Sequence, residues 1–294
     1  MKRTIIGGLL GLLFLLSPPS LMAQAKKVKS RPGAKTGNSD INQWWIGVRG
    51  GTNFSTASPQ TSYSVFSYTQ PVSTGDNEKS YSSFNLPGLQ FGFSISYEFI
   101  RGLSVNLLPS YASYRFEYSN AFRWYDTENA TEQVSTNYNI QTRLQYVELP
   151  ITVRYELMRG PFKPYIHAGG YYSFLTDALK HVKTTGIDEA SGSDSEINVT
   201  DLSVGIEDRT KKSNYGIIGG LGFTQNFGNA RLGLEVNYFY GLQNLDNGGA
   251  KFADSQLITG TYDVSDDYNL NNLAISLQVI IPLKFITSKD YVPL

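Results

Sequence analysis

His167 and His181 are the only histidines in the chain, and so its only side chains that ordinarily change charge near neutral pH. His181 stands near Asp177 and several serines, the residue types from which nucleophilic hydrolases build Ser/His/acid sites. No spacing in the sequence ties those residues together. His167 alternates with apolar neighbours and reads as an inward residue satisfied by its surroundings. Asp188-Glu-Ala-Ser-Gly-Ser-Asp-Ser-Glu196 offers acidic oxygens to a calcium ion. Its spacing departs from the twelve-residue calcium loop, so a solvated acidic tip is the simpler reading. Gly219-Gly220-Leu221-Gly222 has no helix after it and is not a phosphate loop. Inside a strand, such glycines let neighbours pack closely. No catalytic, cofactor-binding or metal-ligating residue is therefore assigned, and no cofactor is expected. The remaining chemistry lies in a scattered charged set: Arg49, Glu98, Glu148, Arg154, Glu156, Glu235 and Lys284, with Arg115 and Glu117. What these residues do depends on which way their backbone turns them.

The elements that carry them have a two-residue period. In Leu89-Gln-Phe-Gly-Phe-Ser-Ile-Ser-Tyr-Glu-Phe99 the odd positions are apolar, while the even ones are Gln, Gly, Ser and Glu. Successive strand side chains point to opposite faces, so this is a half-apolar β-strand. The same pattern recurs from Trp44 to Phe54, Val147 to Glu156, Tyr165 to Phe174, Asn214 to Thr224, Arg231 to Tyr240 and Ser276 to Phe285. An eighth strand runs from Leu103 to Tyr118. Its apolar positions change from Leu103, Val105 and Leu107 to Tyr114, Phe116 and Tyr118, which predicts a bulge near Leu108-Pro109.

Connections alternate in length. Ile100-Arg101-Gly102, Met158 to Phe162 and Gly228-Asn229 are short, whereas Ser58 to Pro87, Ala121 to Asn139, Thr176 to Lys212 and Asn244 to Asn269 are long. Short turns at one end and long loops at the other characterise outer-membrane barrels, with turns in the periplasm and loops outside. The polar face is Gly, Ser, Asn, Thr and Gln with sparse charges, which suits a narrow lumen better than a solvated exterior. Rings near the strand ends predict interfacial girdles: Trp44, Tyr97, Phe99, Tyr155 and Phe227 at the turns, and Phe116, Tyr118, Phe174 and Tyr240 at the loops. The expected fold is all-β, an eight-stranded antiparallel transmembrane β-barrel with short periplasmic turns and long extracellular loops. Such a barrel is only wide enough for side chains to fill, so the charged set is expected to pair inside it.

Composition agrees. The 294 residues include no cysteine, which excludes disulfides, thiolate metal sites and a lipid-modified N-terminus. The 25 basic and 25 acidic residues cancel, leaving no basic surface for nucleic acid. Lys2 and Arg3 precede an apolar stretch from Ile5 to Leu16, then small residues ending at Ala23 and Ala25. This is a signal peptide rather than a membrane anchor, since a spanning helix needs about 20 apolar residues. The predicted organisation is a signal peptide at residues 1–25, a basic flexible linker at 26–43, the barrel at 44–285 and a tail at 286–294.

Three stretches resemble the PorT-like family of outer-membrane β-barrel proteins, which carry an OmpX-like eight-stranded domain. They are Ile46-Gly-Val-Arg-Gly-Gly-Thr-Asn-Phe54, Tyr146-Val-Glu-Leu-Pro-Ile-Thr-Val-Arg-Tyr155 and Lys163-Pro-Tyr-Ile-His-Ala-Gly-Gly-Tyr171. The resemblance implies a Gram-negative outer-membrane location and no shared catalytic residues. Through the family's name-giving member it also implies an association with secretion machinery. One departure is that the chain runs on past Phe285 to Leu294, whereas such barrels often end on an aromatic. The expectation is a non-enzymatic envelope protein surrounded by outer-membrane lipid and meeting envelope or secretion-complex proteins through its Tyr-, Ser- and Asn-rich loops, with no nucleic-acid partner. The alternatives are a hydrolase at the outer rim, built around His181, and a small-solute channel.

Overall fold

The computed structural model describes residues 42–65, 79–125, 133–158, 160–190, 195–227, 230–252, 258 and 260–283. The predicted signal peptide, the linker up to residue 41, Lys284, Phe285 and the tail lie outside the described residues. Within them run β1 (Gln43–Thr61), β2 (Ser80–Tyr81), β3 (Pro87–Ile100), β4 (Leu103–Leu107), β5 (Ser110–Tyr125) and β6 (Gln133–Glu156). The chain continues through β7 (Phe162–Asp188), β8 (Ser195–Asn198), β9 (Leu202–Gly205), β10 (Ser213–Phe227), β11 (Ala230–Gly241) and β12 (Asp267–Pro282).

The pairings form a closed antiparallel circuit. β1 lies between β12 and β3, β3 pairs with both β4 and β5, and these pair with β6. β6 then meets β7, β7 meets β10, β10 meets β11, and β11 returns to β12. β4 and β5 share one place in the circuit, giving a ring of eight positions. β2 sits on β5, and β8 and β9 sit on β7, outside that ring.

The alternation resolves as apolar outside and polar inside. Phe91 is 63% exposed and Leu277 65%, while Asn53, Asn214, Asn237 and Ser276 are buried. A soluble barrel would show the reverse. Trp44, Tyr155, Phe227, Phe174 and Tyr240 project outward as the girdle reading requires.

Two expectations about register and length are corrected. β4 and β5 keep one register against β3, from Leu107 opposite Ile95 to Ser110 opposite Gly92. They also keep one register against β6. There is no bulge at Leu108-Pro109. The Leu108 N–H donates to the Pro150 carbonyl at 3.0 Å, and the Pro109 carbonyl accepts from Phe93 at 2.8 Å, so the ladder passes the proline intact. Phe116 and Tyr118 therefore face the interior, 1% and 4% exposed, and are not girdle residues. The register shift that changes facing in this part of the wall occurs in β7, where Gln145 faces Asp177 and Tyr146 faces Leu175, leaving Thr176 as the extra residue. Its hydroxyl donates to the Gln145 carbonyl at 3.0 Å. Beyond this bulge the inward set passes from Tyr171 and Ser173 to Ala178, Lys180 and Val182. Much of the two central long connections is strand: β6 has 24 residues and β7 has 27, and their pairing reaches Val134 opposite Asp188.

Candidate functional site

The interior of the ring is stacked in layers, each built by inward positions of several strands. Nearest the turns lies an ionic layer. Arg231 is 3.6 Å from Glu98 and 3.9 Å from Glu156, and its guanidinium lies 3.6 Å from the centre of the Trp45 ring. Glu156 also takes Lys163 at 3.0 Å and Arg154 at 3.4 Å. Arg154 in turn stacks 3.8 Å over Tyr165. Planar guanidinium on an aromatic face is the arrangement that arginine, more than lysine, makes well.

Above this layer Arg49 holds Glu235 at 2.7 Å and donates to Ser276 at 2.9 Å. Glu235 also accepts from Tyr165 at 3.0 Å and from Asn237 at 2.8 Å. His167 lies here, 2.5 Å from the Asn237 side-chain oxygen, so its ring is part of a buried network. The glycines of β10 leave the space. A Cβ at Gly222 would fall 2.7 Å from the Tyr165 hydroxyl and 2.6 Å from the Leu234 carbonyl. One at Gly220 would fall 2.8 Å from His167 Nε2 and 2.5 Å from the Val236 carbonyl. Glu148 closes the polar zone, accepting hydrogen bonds from Tyr114 and from Ser173.

Next comes an aromatic layer. Tyr114, Phe116, Tyr118, Ile140, Leu144, Tyr146, Tyr268 and Leu270 form one buried cluster from β5, β6 and β12. Tyr114 and Tyr146 have ring centres 6.0 Å apart, and Phe116 and Tyr268 5.4 Å. The mouth is tied over this cluster by a second set of buried charges. Lys79 is 2.9 Å from both Asp263 and Asp266, and Asp263 also binds Lys180. Tyr118 donates to Asp263 at 2.6 Å and Tyr81 to Asp266 at 2.8 Å. Lys251 joins Asp246 at 3.1 Å to Asp267 at 2.7 Å. Burial opposes the charge on Asp263, but Lys180 and Lys79 outweigh it and hold the carboxyl well below its usual range. Burial likewise opposes the charge on Lys79, and the two aspartates overcome it, holding this lysine above its usual value. At Asp246 burial prevails over Lys251 and pushes the carboxyl up to about 6.

The sequence-derived charged set divides accordingly. Arg49, Glu98, Glu148, Arg154, Glu156 and Glu235 point inward, whereas Arg115 and Glu117 point outward because the expected bulge is absent. Lys163 and Arg231 complete the ionic layer but were outside the expected set, although Arg231 had the inward parity of Glu235. The latch residues Lys79, Asp263 and Asp266 lie in connections without periodicity, so no sequence signal singled them out.

His181 belongs to β7, not to a loop. It bridges Ser203, 2.9 Å from Nδ1, and Asp201, 3.3 Å from Nε2, with its side chain 45% exposed. Asp177 instead pairs with Arg143 at 3.3 Å. The Ser–His–acid order exists, on an open strand face that gives little of the water exclusion acyl transfer uses. Of the acidic run, Asp188 and Glu189 end β7 or follow it and Glu196 lies in β8, while residues 191–194 lie outside the described residues. Among the described residues, no group of three or more His, Asp or Glu side chains is placed to hold a metal ion.

With this geometry in hand, a family model described as "Outer membrane protein beta-barrel domain" matches residues 22–247. No curated protein matches the chain. Among solved structures, the outer membrane protein OprG from Pseudomonas aeruginosa aligns at 13% identity over 82% of this chain and 96% of that one, with a TM-score of 0.38. Outer membrane protein W from E. coli aligns at 14% identity over 83% and 98%, with a TM-score of 0.33. Neisserial surface protein A aligns at 13% identity over 81% and 96%, also with a TM-score of 0.33.

Proposed function

Because this chain belongs to the outer-membrane β-barrel domain family, we propose that it is a non-enzymatic, non-conducting barrel that presents an external platform to an envelope or secretion partner. Its family indicates the Gram-negative outer membrane as its location. The orientation in this reading puts the short turns in the periplasm and β2, β8, β9 and the long ends of β5 to β7 outside the cell, after export by a cleaved signal peptide. One observation carries the reading. Buried side chains follow one another up the lumen, from the Arg231 layer through the Arg49–Glu235 network and the aromatic cluster to the Lys79 pairs, while β6 and β7 run far past the roughly 10 residues that a tilted spanning strand needs. A filled interior supplies no path, and a long exposed extension supplies a surface. The narrower PorT-like affiliation, with a secretion role, is our reading of the three resembling stretches.

Two measurements test it. Planar bilayers containing the purified protein are expected to show no unitary conductance, and steady channel openings would overturn the non-conducting part. The chain has no cysteine, so Ser203→Cys gives a single label site; a membrane-impermeant maleimide is expected to mark it in intact cells. Labelling only after the outer membrane is breached would reverse the orientation.

A second reading rests on the Ser203–His181–Asp201 contacts, which would make the extension a surface hydrolase. A His181→Ala variant with unchanged lipid and peptide turnover would eliminate it.

A further inference from the structure

Arg115 and Arg143 face each other directly across the β5–β6 ladder. Opposed residues on one face of an antiparallel pair hold their Cβ atoms about 5 Å apart, and like charges placed so repel. Both are on the outer face, because Tyr114, Phe116 and Leu144 beside them fill the interior. Arg115 is exposed and has no hydrogen-bond or ion-pair partner among the described residues. Arg143 has Asp177 at 3.3 Å, and its buried Nε has no hydrogen-bond partner. The other carboxylate on this face of β5, Glu117, is taken by the side-chain amides of Asn85 and of Gln141, the latter at 3.2 Å. Arg115 therefore faces a second guanidinium without an ion pair of its own, and the one carboxylate paired in this spot belongs to Arg143.

Its height on the wall indicates what it meets. The outward apolar row of β6 runs through Val153, Ile151, Leu149 and Val147, then turns polar at Gln145 and Arg143. On β7 the apolar row ends with Tyr172 and Phe174, stacked edge to face at 4.8 Å. From Val147 to Arg143 the strand advances about 13 Å, less in height because strands tilt. An arginine stem can lie back along apolar surface while its head stays polar. Both guanidiniums thus reach the layer where lipid headgroups begin.

We propose that Arg115 and Arg143 form a site on the outer wall of the barrel for the phosphate of an outer-leaflet glycolipid. The proposal rests on the orientation given above. A phosphate between two guanidiniums accepts charge-assisted hydrogen bonds from both and turns their repulsion into a shared attraction. Asp177 then orients Arg143 without occupying Arg115. A lipid phosphate is favoured over a free one because the pair projects from the wall at headgroup level, where lipid is always present.

The test uses full-length protein in phosphatidylcholine nanodiscs doped with bisphosphorylated lipid A or with dephosphorylated lipid A, with retained lipid counted by native mass spectrometry. Wild type is expected to retain the phosphorylated lipid roughly tenfold more than the dephosphorylated one, and the Arg115→Gln/Arg143→Gln variant to lose that preference. Heat-modifiable gel mobility confirms that the variant is folded, and Arg115→Lys/Arg143→Lys is expected to restore part of the retention. Equal retention of both lipids, or no difference between wild type and the Gln variant, overturns the site. Displacement by millimolar inorganic phosphate overturns the lipid source in favour of a free anion. Phosphate selectivity without surface labelling at Ser203→Cys overturns the leaflet while leaving the arginine pair as a phosphate site.

Discussion

From Trp45 to Glu148 the interior is ion-paired and polar, whereas from Tyr114 to Tyr268 it is aromatic, with charge returning only at the Lys79–Asp263–Lys180 latch. The two ionic regions differ in how they are built. In the lower one every partner projects from a ring strand, so the closed ladder fixes the geometry before any pair forms. In the upper one Lys79, Asp263 and Asp266 belong to connections, and the pairs themselves hold those connections down. The lower pairs fill a barrel that the backbone already makes, while the upper pairs create the closure they stabilise. Removing a partner should therefore have different consequences in the two places.

The largest effect is expected at the latch. Asp263→Ala leaves Lys180 buried without its carboxylate and is expected to cost about 3–5 kcal/mol. Urea unfolding in micelles measures the loss, and protease cutting between residues 245 and 268 should accompany it; intact connections would break the comparison. Glu235→Gln in the lower region strands Arg49 and is expected to cost about 3 kcal/mol. Here no new cut site should appear, because the ring strands hold the geometry. Gly222→Val tests how tightly the lower half is filled. Its side chain meets Tyr165 and the Leu234 carbonyl, and a loss of about 1–3 kcal/mol is expected in the same unfolding assay.

The smallest effect is a pH signature in the upper region. Asp246 has its folded pKa raised to about 6, so between that value and its ordinary range the folded state binds more protons than the unfolded one. Its contribution therefore falls as pH rises through this window. Asp263, held low, acts in the opposite sense: its contribution is present above the ordinary carboxylate range and is lost as pH falls below it. Asp246→Asn should flatten the stability profile between about pH 4 and 6. A profile that the substitution leaves unchanged would remove Asp246 from the account.

The same division explains what could be read from the sequence. Alternation in the strands separated the two faces of the wall and with them most of the inward charges, while the sparse charge of the polar face decided which side turns outward and the alternating connection lengths gave the barrel type. It misread Tyr114, Phe116 and Tyr118. They are apolar, and the rule that apolar residues face lipid demanded a bulge that the β3 and β6 registers do not contain. The interior had changed chemistry while the backbone kept its phase. The bulge at Thr176 left little trace, since Phe174 and Leu175 just before it are apolar on opposite parities. The latch was illegible because Lys79 and Asp263 are separated by nearly the whole barrel and follow no period. The hydrolase alternative put Asp177 beside His181; the acid there is Asp201, brought in by the pairing of β9 with β7.

The length of β7 also has a mechanical meaning. Its 27 residues amount to about 90 Å of extended chain, hydrogen-bonded to β6 from Tyr165 to Asp188. A force applied at the far tip along the strand direction loads those bonds together in shear rather than one after another. The extension can then pass tension from whatever grips its tip into the wall of the barrel without unzipping on the way.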